Sequence, residues 1–163
     1  MGELREELRA SARRVQETLD SFGLELTVVE FNDSTRTSQE AADAIGCELG
    51  QIAKSLIFMG RQSRTPVCVI ASGSNRVDEK KLRGILGEKT QKADAEFVLE
   101  HTGYTIGGIP PVGHAKPLRT LVDEDLLRYE TVWSAAGTPH AVFRLTPGYL
   151  VAITNGEVSD IKA

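Results

Sequence analysis

Residues 52–71 read Ile-Ala-Lys-Ser-Leu-Ile-Phe-Met-Gly-Arg-Gln-Ser-Arg-Thr-Pro-Val-Cys-Val-Ile-Ala. This stretch holds two short apolar runs, Ile52 to Met59 and Pro66 to Ala71, on either side of a polar segment. Each run has the length of a strand and is too short for a typical buried helix. The stretch therefore predicts two buried strands, and the elements before and after it have to pack around them.

The segment before these strands predicts one helix and one strand. Apolar side chains recur at helical spacing from the N-terminus onward, which predicts an amphipathic helix over residues 1–22 that stops at Gly23. Apolar residues then alternate at Leu24, Leu26 and Val28, and this period of two predicts a half-buried strand.

Capping signals predict four short helices further along the chain. Thr37 and Glu40 have the spacing of a capping box, and Gly46 is a natural stop for the helix that they begin. The other three helices are predicted to begin after Asp78, after Asp94 and after Thr146. Two more strands are predicted at residues 131–134 and 141–145. Because helices and strands alternate irregularly, the sequence predicts a mixed α/β, or α+β, fold rather than a regular doubly wound sheet.

The length and the charge of the chain indicate how many domains it has and which classes of protein it does not resemble. The chain has 163 residues and no long linker, so we expect a single domain over residues 1–163. Lys and Arg total 19 and Asp and Glu total 23, and the net charge of −4 argues against a protein that coats nucleic acid, although one basic patch remains compatible with it. No apolar run is long enough to span a membrane and the N-terminus has no apolar signal core, so we expect a cytoplasmic protein without a membrane partner.

Signatures of cofactors and metals are missing from the sequence. It contains no G-x-G-x-x-G or Walker A pattern for a nucleotide cofactor. Cys47 and Cys68 lack C-x-x-C spacing, and His101, His114 and His140 lack paired spacing, so neither a disulfide scaffold nor a zinc site is supported. We therefore expect neither a cofactor nor a metal. The sequence leaves open whether His114 or His140 faces a pocket, and it leaves the oligomeric state open.

Lys54 stands within an apolar strand face. At a period of two it shares that face with Ile52, Leu56 and Phe58, and a buried ammonium group is costly unless it meets water or an anion. An edge-strand lysine that prevents unwanted strand pairing is the more common explanation. The alternative is a lysine that points into a wet cleft and serves a reaction.

The segment Gly107 to His114 is rich in glycine and proline. Paired glycines let the backbone approach a ligand and leave N–H groups free to donate, while Pro110 and Pro111 stiffen the loop. An ordinary structural turn explains the segment equally well. Ser134 follows Trp133 and could bind a substrate, although no G-x-S-x-G elbow surrounds it. Trp133 itself is expected in the core.

Three segments together resemble the family of YbaK and prolyl-tRNA-synthetase-associated editing domains. They are Ile-Ala-Lys-Ser-Leu at 52–56, Gly-Tyr-Thr-Ile-Gly-Gly-Ile-Pro-Pro-Val-Gly at 103–113, and Val-Trp-Ser-Ala-Ala-Gly at 132–137. Their order and separations are similar to those of the family over most of the chain, from residue 20 to residue 160. The resemblance implies a compact mixed α/β domain with a curved, barrel-like sheet and flanking helices.

The resemblance also implies an activity and its residues. Members of this family include free-standing deacylases that hydrolyse a wrong amino acid from tRNA, typically Cys or Ala from tRNA(Pro). It implies that Lys54 is catalytic and holds the 3′-terminal nucleotide with its ester. It further implies that the loop Gly107-Gly108-Ile109-Pro110 positions the aminoacyl group, with Ser55, Ser134 and Gly137 as further substrate contacts.

Several positions depart from the family pattern. Phe31 stands where Cys-tRNA(Pro) deacylases often carry Tyr, and His140 lies in a region where they carry Asp. Pro110 and Pro111 stand where the best-known members have a small residue. Phe31 and His140 are candidate substrate contacts by position only. The differences leave the amino-acid specificity open.

Three functions follow from these observations. The first is a metal-independent trans-editing hydrolase that acts on the acceptor end of a mischarged tRNA, with a synthetase or an elongation factor as a further candidate partner. An aminoacyl ester is already activated, so its hydrolysis needs positioning and oxyanion stabilisation more than a strong nucleophile. The second is a non-catalytic module of the same fold that binds a tRNA end or a protein partner. The third is a hydrolase or lyase of another small aminoacyl ester.

Overall fold

The computed structural model describes residues 2–163, and the eight strands in this part of the chain form one mixed sheet. The strands are β1 Val28–Glu30, β2 Ile52–Gly60, β3 Pro66–Ser72, β4 Thr90–Lys92, β5 Arg119–Asp123, β6 Val132–Ala135, β7 Ala141–Leu145 and β8 Glu157–Ser159. The helices are α1 Ala10–Asp20, α2 Ser38–Ile45, α3 Glu79–Leu86, α4 Ala95–Thr102 and α5 Pro147–Thr154. The predicted mixed α/β fold is confirmed.

The strand pair predicted at residues 52–71 lies at the centre of the sheet. Strands β2 and β3 are antiparallel, from Ala53 opposite Ser72 to Met59 opposite Pro66. The strand order is β1-β7-β6-β2-β3-β5-β8, and β4 pairs with β2 beside this path. The pairs β2–β6, β3–β5 and β5–β8 are parallel, and the others are antiparallel.

Both faces of the central strands are covered. Successive side chains of a strand point to opposite faces, so Ile57 of β2 packs in one buried cluster and Phe58 in another. The cluster around Ile57 includes the buried stripe of α1, which is formed by Ala12, Val15 and Leu19. Helix α3 contributes its buried Leu82 to the cluster on the other face. The sheet is therefore a central layer between helices.

The predicted helix over residues 1–22 is too long. Helix α1 begins only at Ala10, and the residues before it run beside the edge strand β1, where Leu4 bridges to Phe31. Arg5 donates its backbone N–H to the Glu30 carbonyl at 2.7 Å. A spacing of four residues fits both a helical and a strand period, so the apolar residues at the start did not distinguish the two. Met1 lies outside the described residues.

The strand predicted at Leu24 to Val28 is displaced. Residues 24–27 form no strand, and β1 begins at Val28, where pairing with Phe143 of β7 starts. Alternation marks which side chains are buried, whereas the partner strand decides which residues pair. The four capped helices are confirmed: Thr37, Asp78, Asp94 and Thr146 each accept a backbone N–H from the first turn of the helix that follows.

Candidate active site

A cavity of about 570 Å³ opens where the sheet divides. Strand β6 pairs with β2 only at Ile52 and Ala53, and β4 pairs with β2 only from Phe58 onward. Between these two pairings, one side of β2 has no neighbouring strand. Residues 54–57 of β2 line the cavity on that side. Strand β2 is central in the sheet, but Lys54 lies on the stretch of β2 that has no strand on one side, and that side is the cavity.

Four parts of the chain complete the walls. They are the segment that leads into α2, the start of α4, the loop after α4, and strand β6 with its neighbour β7. The first part contributes Thr35–Gln39 and the second Ala93 and Val98. The loop contributes Ile106, Gly107 and Ile109, and the two strands contribute Trp133–Ala135 and Val142. The walls are largely apolar, with polar groups concentrated at Lys54, Ser55 and Ser134 and in the segment before α2. A small-ligand site commonly has this composition.

The Lys54 ammonium is half-buried beside the cavity. Its Nζ donates a hydrogen bond to the backbone carbonyl of Asn75 at 2.8 Å. Burial lowers the pKa of Lys54, and the nearby ammonium of Lys92 lowers this pKa further. The carboxylate of Asp123 opposes that shift, and the guanidinium of Arg76 adds to it. Lys54 is thus a partly desolvated cation with other cations as neighbours.

Cations gather at this cavity. Arg36 and Lys92 line it together with Lys54. Within residues 2–163, none of these three side chains forms an ion pair with a carboxylate, in contrast to several other Lys and Arg side chains. The first turn of α2 lines the same cavity, and the N-terminus of a helix carries partial positive charge. An acidic chain thus has a local positive site that suits an anion.

The loop after α4 presents backbone N–H groups. Gly107 has a φ of +97°, and a Cβ at this position would lie 2.6 Å from Cγ of Arg36. Only glycine lets Arg36 lie across the loop. In the described chain, the N–H groups of Gly107 and Ile109 have no acceptor, whereas Gly108 donates to the Thr105 carbonyl at 3.1 Å.

The two glycine-containing segments that carry the family resemblance contact each other. Gly137 donates its N–H to the carbonyl of Gly108 at 2.8 Å. A Cβ on Gly108 would lie 2.7 Å from the backbone carbon of Thr138, so this position has no room for a side chain. Ser134 is buried at the cavity wall, where its hydroxyl donates to the Ala53 carbonyl at 3.4 Å. The hydrogen bond between Gly137 and Gly108 holds the loop after α4 against the end of β6.

The predicted site residues divide into two groups. Lys54, Ser55, Gly107, Ile109 and Ser134 line the cavity. The remaining predicted contacts lie outside its lining: Phe31, Gly108, Pro110, Gly137 and His140. Of these five, Phe31 packs in the core, and Gly108 and Gly137 join the two glycine-containing segments by a hydrogen bond.

Phe31 and the histidines show why those positions do not line the cavity. Phe31 is fully buried in an apolar cluster with α2. The imidazole of His140 bonds to the Asp33 carbonyl at 2.9 Å. His114 bonds to the Pro110 carbonyl at 2.7 Å, and burial lowers the pKa of His114. Neither His114 nor His140 is among the lining residues, and both brace loops instead.

Several lining residues were not predicted from the sequence. Trp133 was expected in the core, but it is half-buried at the cavity wall, with the Arg144 guanidinium 5.9 Å from its ring centroid. Arg36 and Lys92 carried no local signal, because a single exposed cation is common at any surface.

Neither Cys68 nor any cluster of His, Cys, Asp and Glu side chains forms a second candidate site among the described residues. Cys68 is fully buried, and burial raises the pKa of its thiol to about 12, as expected for a small core residue. No three His, Cys, Asp or Glu side chains of residues 2–163 cluster as metal ligands would. No helix in this part of the chain has both the length and the apolar character to cross a membrane.

The chain is similar to proteins of one family. Residues 32–153 match the aminoacyl-tRNA editing domain family. The protein YwhH of Bacillus subtilis (strain 168) is 36% identical over 137 residues, which cover 84% of this chain and 87% of YwhH. EbsC of Enterococcus faecalis (strain ATCC 700802 / V583), a proposed Cys-tRNA(Pro)/Cys-tRNA(Cys) deacylase, is 29% identical over 132 residues, 80% of each chain.

A solved structure agrees with these sequence matches. The crystal structure of a proposed trans-editing enzyme for prolyl-tRNA synthetase superimposes with a TM-score of 0.91 at 49% identity, and it covers 96% of this chain and 99% of the other. The matched region includes β2, the loop after α4 and β6, which together form the cavity. This chain therefore belongs to the aminoacyl-tRNA editing domain family.

Proposed function

We propose that this protein is a free-standing deacylase that hydrolyses a small, wrong amino acid from the 3′ end of a tRNA. The observation that carries the proposal is the half-buried Lys54 at an apolar cavity whose other cations, Arg36 and Lys92, have no ion-pair partner among the described residues. The names of EbsC and of the solved relative support the same activity, and the name of EbsC favours Cys on tRNA(Pro) or tRNA(Cys) as the substrate.

The reaction requires little beyond positioning. Water adds to the ester carbonyl, and the bond between the acyl carbon and the ribose oxygen breaks. One proton of the water goes to the ribose oxygen and the other goes to solvent, so the amino acid leaves as a carboxylate. Negative charge develops on the carbonyl oxygen in the transition state. We expect the Lys54 ammonium and the N–H groups of Gly107 and Ile109, two residues of the cavity lining, to stabilise that charge. We expect this chemistry to proceed without a metal ion or a cofactor.

The walls of the cavity favour a small amino acid. Ile109 and Ala135 line the same cavity as Ser55 and Ser134, so we expect an amino-acid side chain to meet apolar walls and hydroxyl groups there. Pockets with rigid walls discriminate by size, since a side chain that is too large cannot enter. At about 570 Å³, the cavity also has room for the terminal nucleotide beside its amino acid.

The expected partner is the acceptor end of tRNA, whose phosphates match the cations of the cavity. A solved relative is described as a proposed trans-editing enzyme for prolyl-tRNA synthetase, so a synthetase is a further candidate partner. An elongation factor is another candidate. A cytoplasmic location, where charged tRNA is made and used, accompanies this proposal.

A deacylation panel tests the proposal. The protein would be incubated with tRNA(Pro) charged with Ala, Cys, Ser or Pro, and with the cognate tRNAs charged with Ala, Ser or Thr. Lys54→Ala should lower the rate on the preferred substrate by about 100-fold or more, since it removes a positioned charge from the transition state. Lys116→Ala is the matched control, because Lys116 is exposed, pairs with Glu100 and does not line the cavity.

Three results would contradict the proposal. If a folded wild-type protein releases no amino acid from any of these tRNAs yet binds them, the non-catalytic module becomes the better description. If Lys54→Ala folds and keeps full activity, the role assigned to Lys54 is wrong. Hydrolysis of free aminoacyl esters at the same rate as charged tRNA would point instead to a small-molecule hydrolase.

A further inference from the structure

The Lys54 ammonium has one fixed partner in the described chain, the backbone carbonyl of Asn75 at 2.8 Å. A lysine side chain has a flexible stem and three donors, so it adopts many positions unless a neighbour holds it. The bond to Asn75 uses one donor and leaves two for the cavity. The position of the Asn75 carbonyl therefore decides where the charge of Lys54 lies.

Asn75 is itself held by two carboxylates. Its side-chain amide donates to Asp123 and to Asp125, with both distances 2.9 Å. Its backbone N–H donates to the Ser72 carbonyl at 2.9 Å. Asp123 is fully buried and accepts two further bonds, from the backbone N–H groups of Ser72 at 3.0 Å and Asp125 at 2.9 Å. A buried and fully bonded carboxylate is a rigid anchor.

The last residues of the chain brace the same loop from outside. Lys162 donates to Asp125 at 2.8 Å, and the hydrogen bonds from Lys162 and Asn75 hold the pKa of Asp125 below its ordinary value. Ala163 donates its backbone N–H to the Arg76 carbonyl at 2.9 Å, directly after Asn75. The carbonyl that binds Lys54 is thus held from both sides.

We propose that Asn75 is a positioning residue for Lys54: its side chain, clamped by Asp123 and Asp125, fixes the carbonyl that holds the Lys54 ammonium at the cavity. The catalytic part of this inference rests on the proposed deacylase function. The hydrogen bonds of Asn75 to Asp123 and Asp125 hold the Lys54 ammonium in place against electrostatic repulsion. Lys92 and Arg76 repel the ammonium of Lys54, and the carbonyl and the buried charge of Asp123 counter that repulsion.

The experiment compares Asn75→Ala with Asn32→Ala as the matched control, because Asn32 is exposed and does not line the cavity. The first measurement is the 15N and 1H signal of the Lys54 ammonium in the full-length protein without substrate, assigned with Lys54→Arg. The second is kcat and KM for deacylation of the preferred charged tRNA. Thermal unfolding of each variant verifies the fold.

In the wild type and in Asn32→Ala, we expect a Lys54 signal with slow proton exchange and shifted from those of exposed lysines. Asn75→Ala should move this signal to the position of exposed lysines. It should also lower kcat by roughly tenfold to a hundredfold with little change in KM, the effect expected when a reacting group is misplaced by about 1 Å. Lys162→Ala removes the hydrogen bond from Lys162 to Asp125 and so loosens the hold on Asn75. It should shift the Lys54 signal and lower kcat in the same direction as Asn75→Ala, but by less.

Several results would overturn the inference. An unchanged Lys54 signal in Asn75→Ala shows that Asn75 does not hold the ammonium, whatever happens to kcat. A changed signal with unchanged kcat shows that the held position does not serve the reaction. If Asn75→Ala fails to fold, Lys162→Ala decides by the same two measurements. If the wild type has no deacylase activity, the proposed function fails, and the Lys54 signal alone still decides whether Asn75 holds the ammonium.

Discussion

Glu30 is a fully buried carboxylate that joins three parts of the chain. It accepts the backbone N–H of Arg9 at 2.8 Å, the guanidinium of Arg9 at 2.7 Å and the hydroxyl of Thr138 at 2.7 Å. The first of these bonds occupies a backbone donor at the start of α1, which has no side-chain cap of its own. Thr138 is the residue whose backbone packs against Gly108, so Glu30 also supports the cavity loop.

Glu30→Gln should destabilise the protein by about 2–3 kcal/mol. The amide keeps the size of the side chain, but it loses the charge that the Arg9 and Thr138 bonds use, and charged hydrogen bonds are worth more than neutral ones. Urea unfolding at pH 7 measures the difference. Glu25→Gln is the control, since Glu25 is exposed. Equal unfolding midpoints for the two variants would contradict the role given to Glu30.

The contribution of Glu30 should depend on pH. Burial alone would raise the pKa of Glu30, but the hydrogen bonds from Arg9 and Thr138 outweigh it and the net pKa is lowered. A group whose pKa is lower in the folded state stabilises that state fully above its unfolded pKa, about 4.3. The stability difference between wild type and Glu30→Gln should therefore be constant near neutral pH and shrink as the pH falls below about 4. A difference that grows in acid would contradict this sign.

At the scale of one element, α3 shows how local signals define a helix. Asp78 accepts the backbone N–H of Lys80 at 2.8 Å at its start, and Gly87 ends it in the left-handed conformation with a φ of +80°. Its one interior glycine, Gly84, is exposed, and a Cβ there would meet no atom within 4 Å. Gly84 therefore weakens the helix without filling any packing need.

Gly84→Ala should stabilise the protein by about 1 kcal/mol, because it removes backbone freedom from the unfolded chain and adds no clash. Gly87→Ala is the matched opposite and should destabilise it by about 1 kcal/mol, since alanine is strained at a positive φ. Thermal or urea unfolding of both variants measures the pair. If both substitutions change stability in the same direction, the assigned ends of α3 are wrong.

At the scale of the whole molecule, unpaired positive charge is concentrated at the cavity of a chain that is negatively charged overall. The chain carries a net charge of −4, yet Arg36, Lys54 and Lys92 meet at one cavity without ion-pair partners in the described chain. Elsewhere, cations such as Arg119 and Lys81 pair with carboxylates at the surface. A polyanion would therefore be repelled over much of the surface and attracted at the cavity.

Lys92→Ala should weaken tRNA binding and reduce its dependence on salt. Each phosphate contact with a single strand contributes about 0.7 to the slope of log K against log salt, so losing one contact should lower the slope by about that amount. Binding of uncharged tRNA(Pro) at several salt concentrations measures the slope. Arg119→Gln is the control, because Arg119 is paired with Glu157 on β5 and β8, outside the cavity lining. Equal slopes for the two variants would contradict a phosphate contact at Lys92.

Local patterns determined much of this protein without the structure. The capped helices α2 to α5, the strand pair β2 and β3, and the segments around Lys54 and Gly107 could all be predicted, because caps, apolar runs and turn residues act within a few positions of the chain. The short strands β4 and β8 could not, since three mostly exposed residues show no period and form a strand only when a partner is present.

The tertiary structure alone decided where these parts meet. The cavity exists because β6 leaves β2 after Ala53 and β4 joins it only at Phe58, a gap that depends on strand register. Arg36, Lys92 and Asn75 converge on Lys54 only through this arrangement of the sheet, although they lie 18, 38 and 21 positions from it in the sequence. Side-chain chemistry is encoded residue by residue, whereas its convergence depends on long-range packing, which no local pattern specifies.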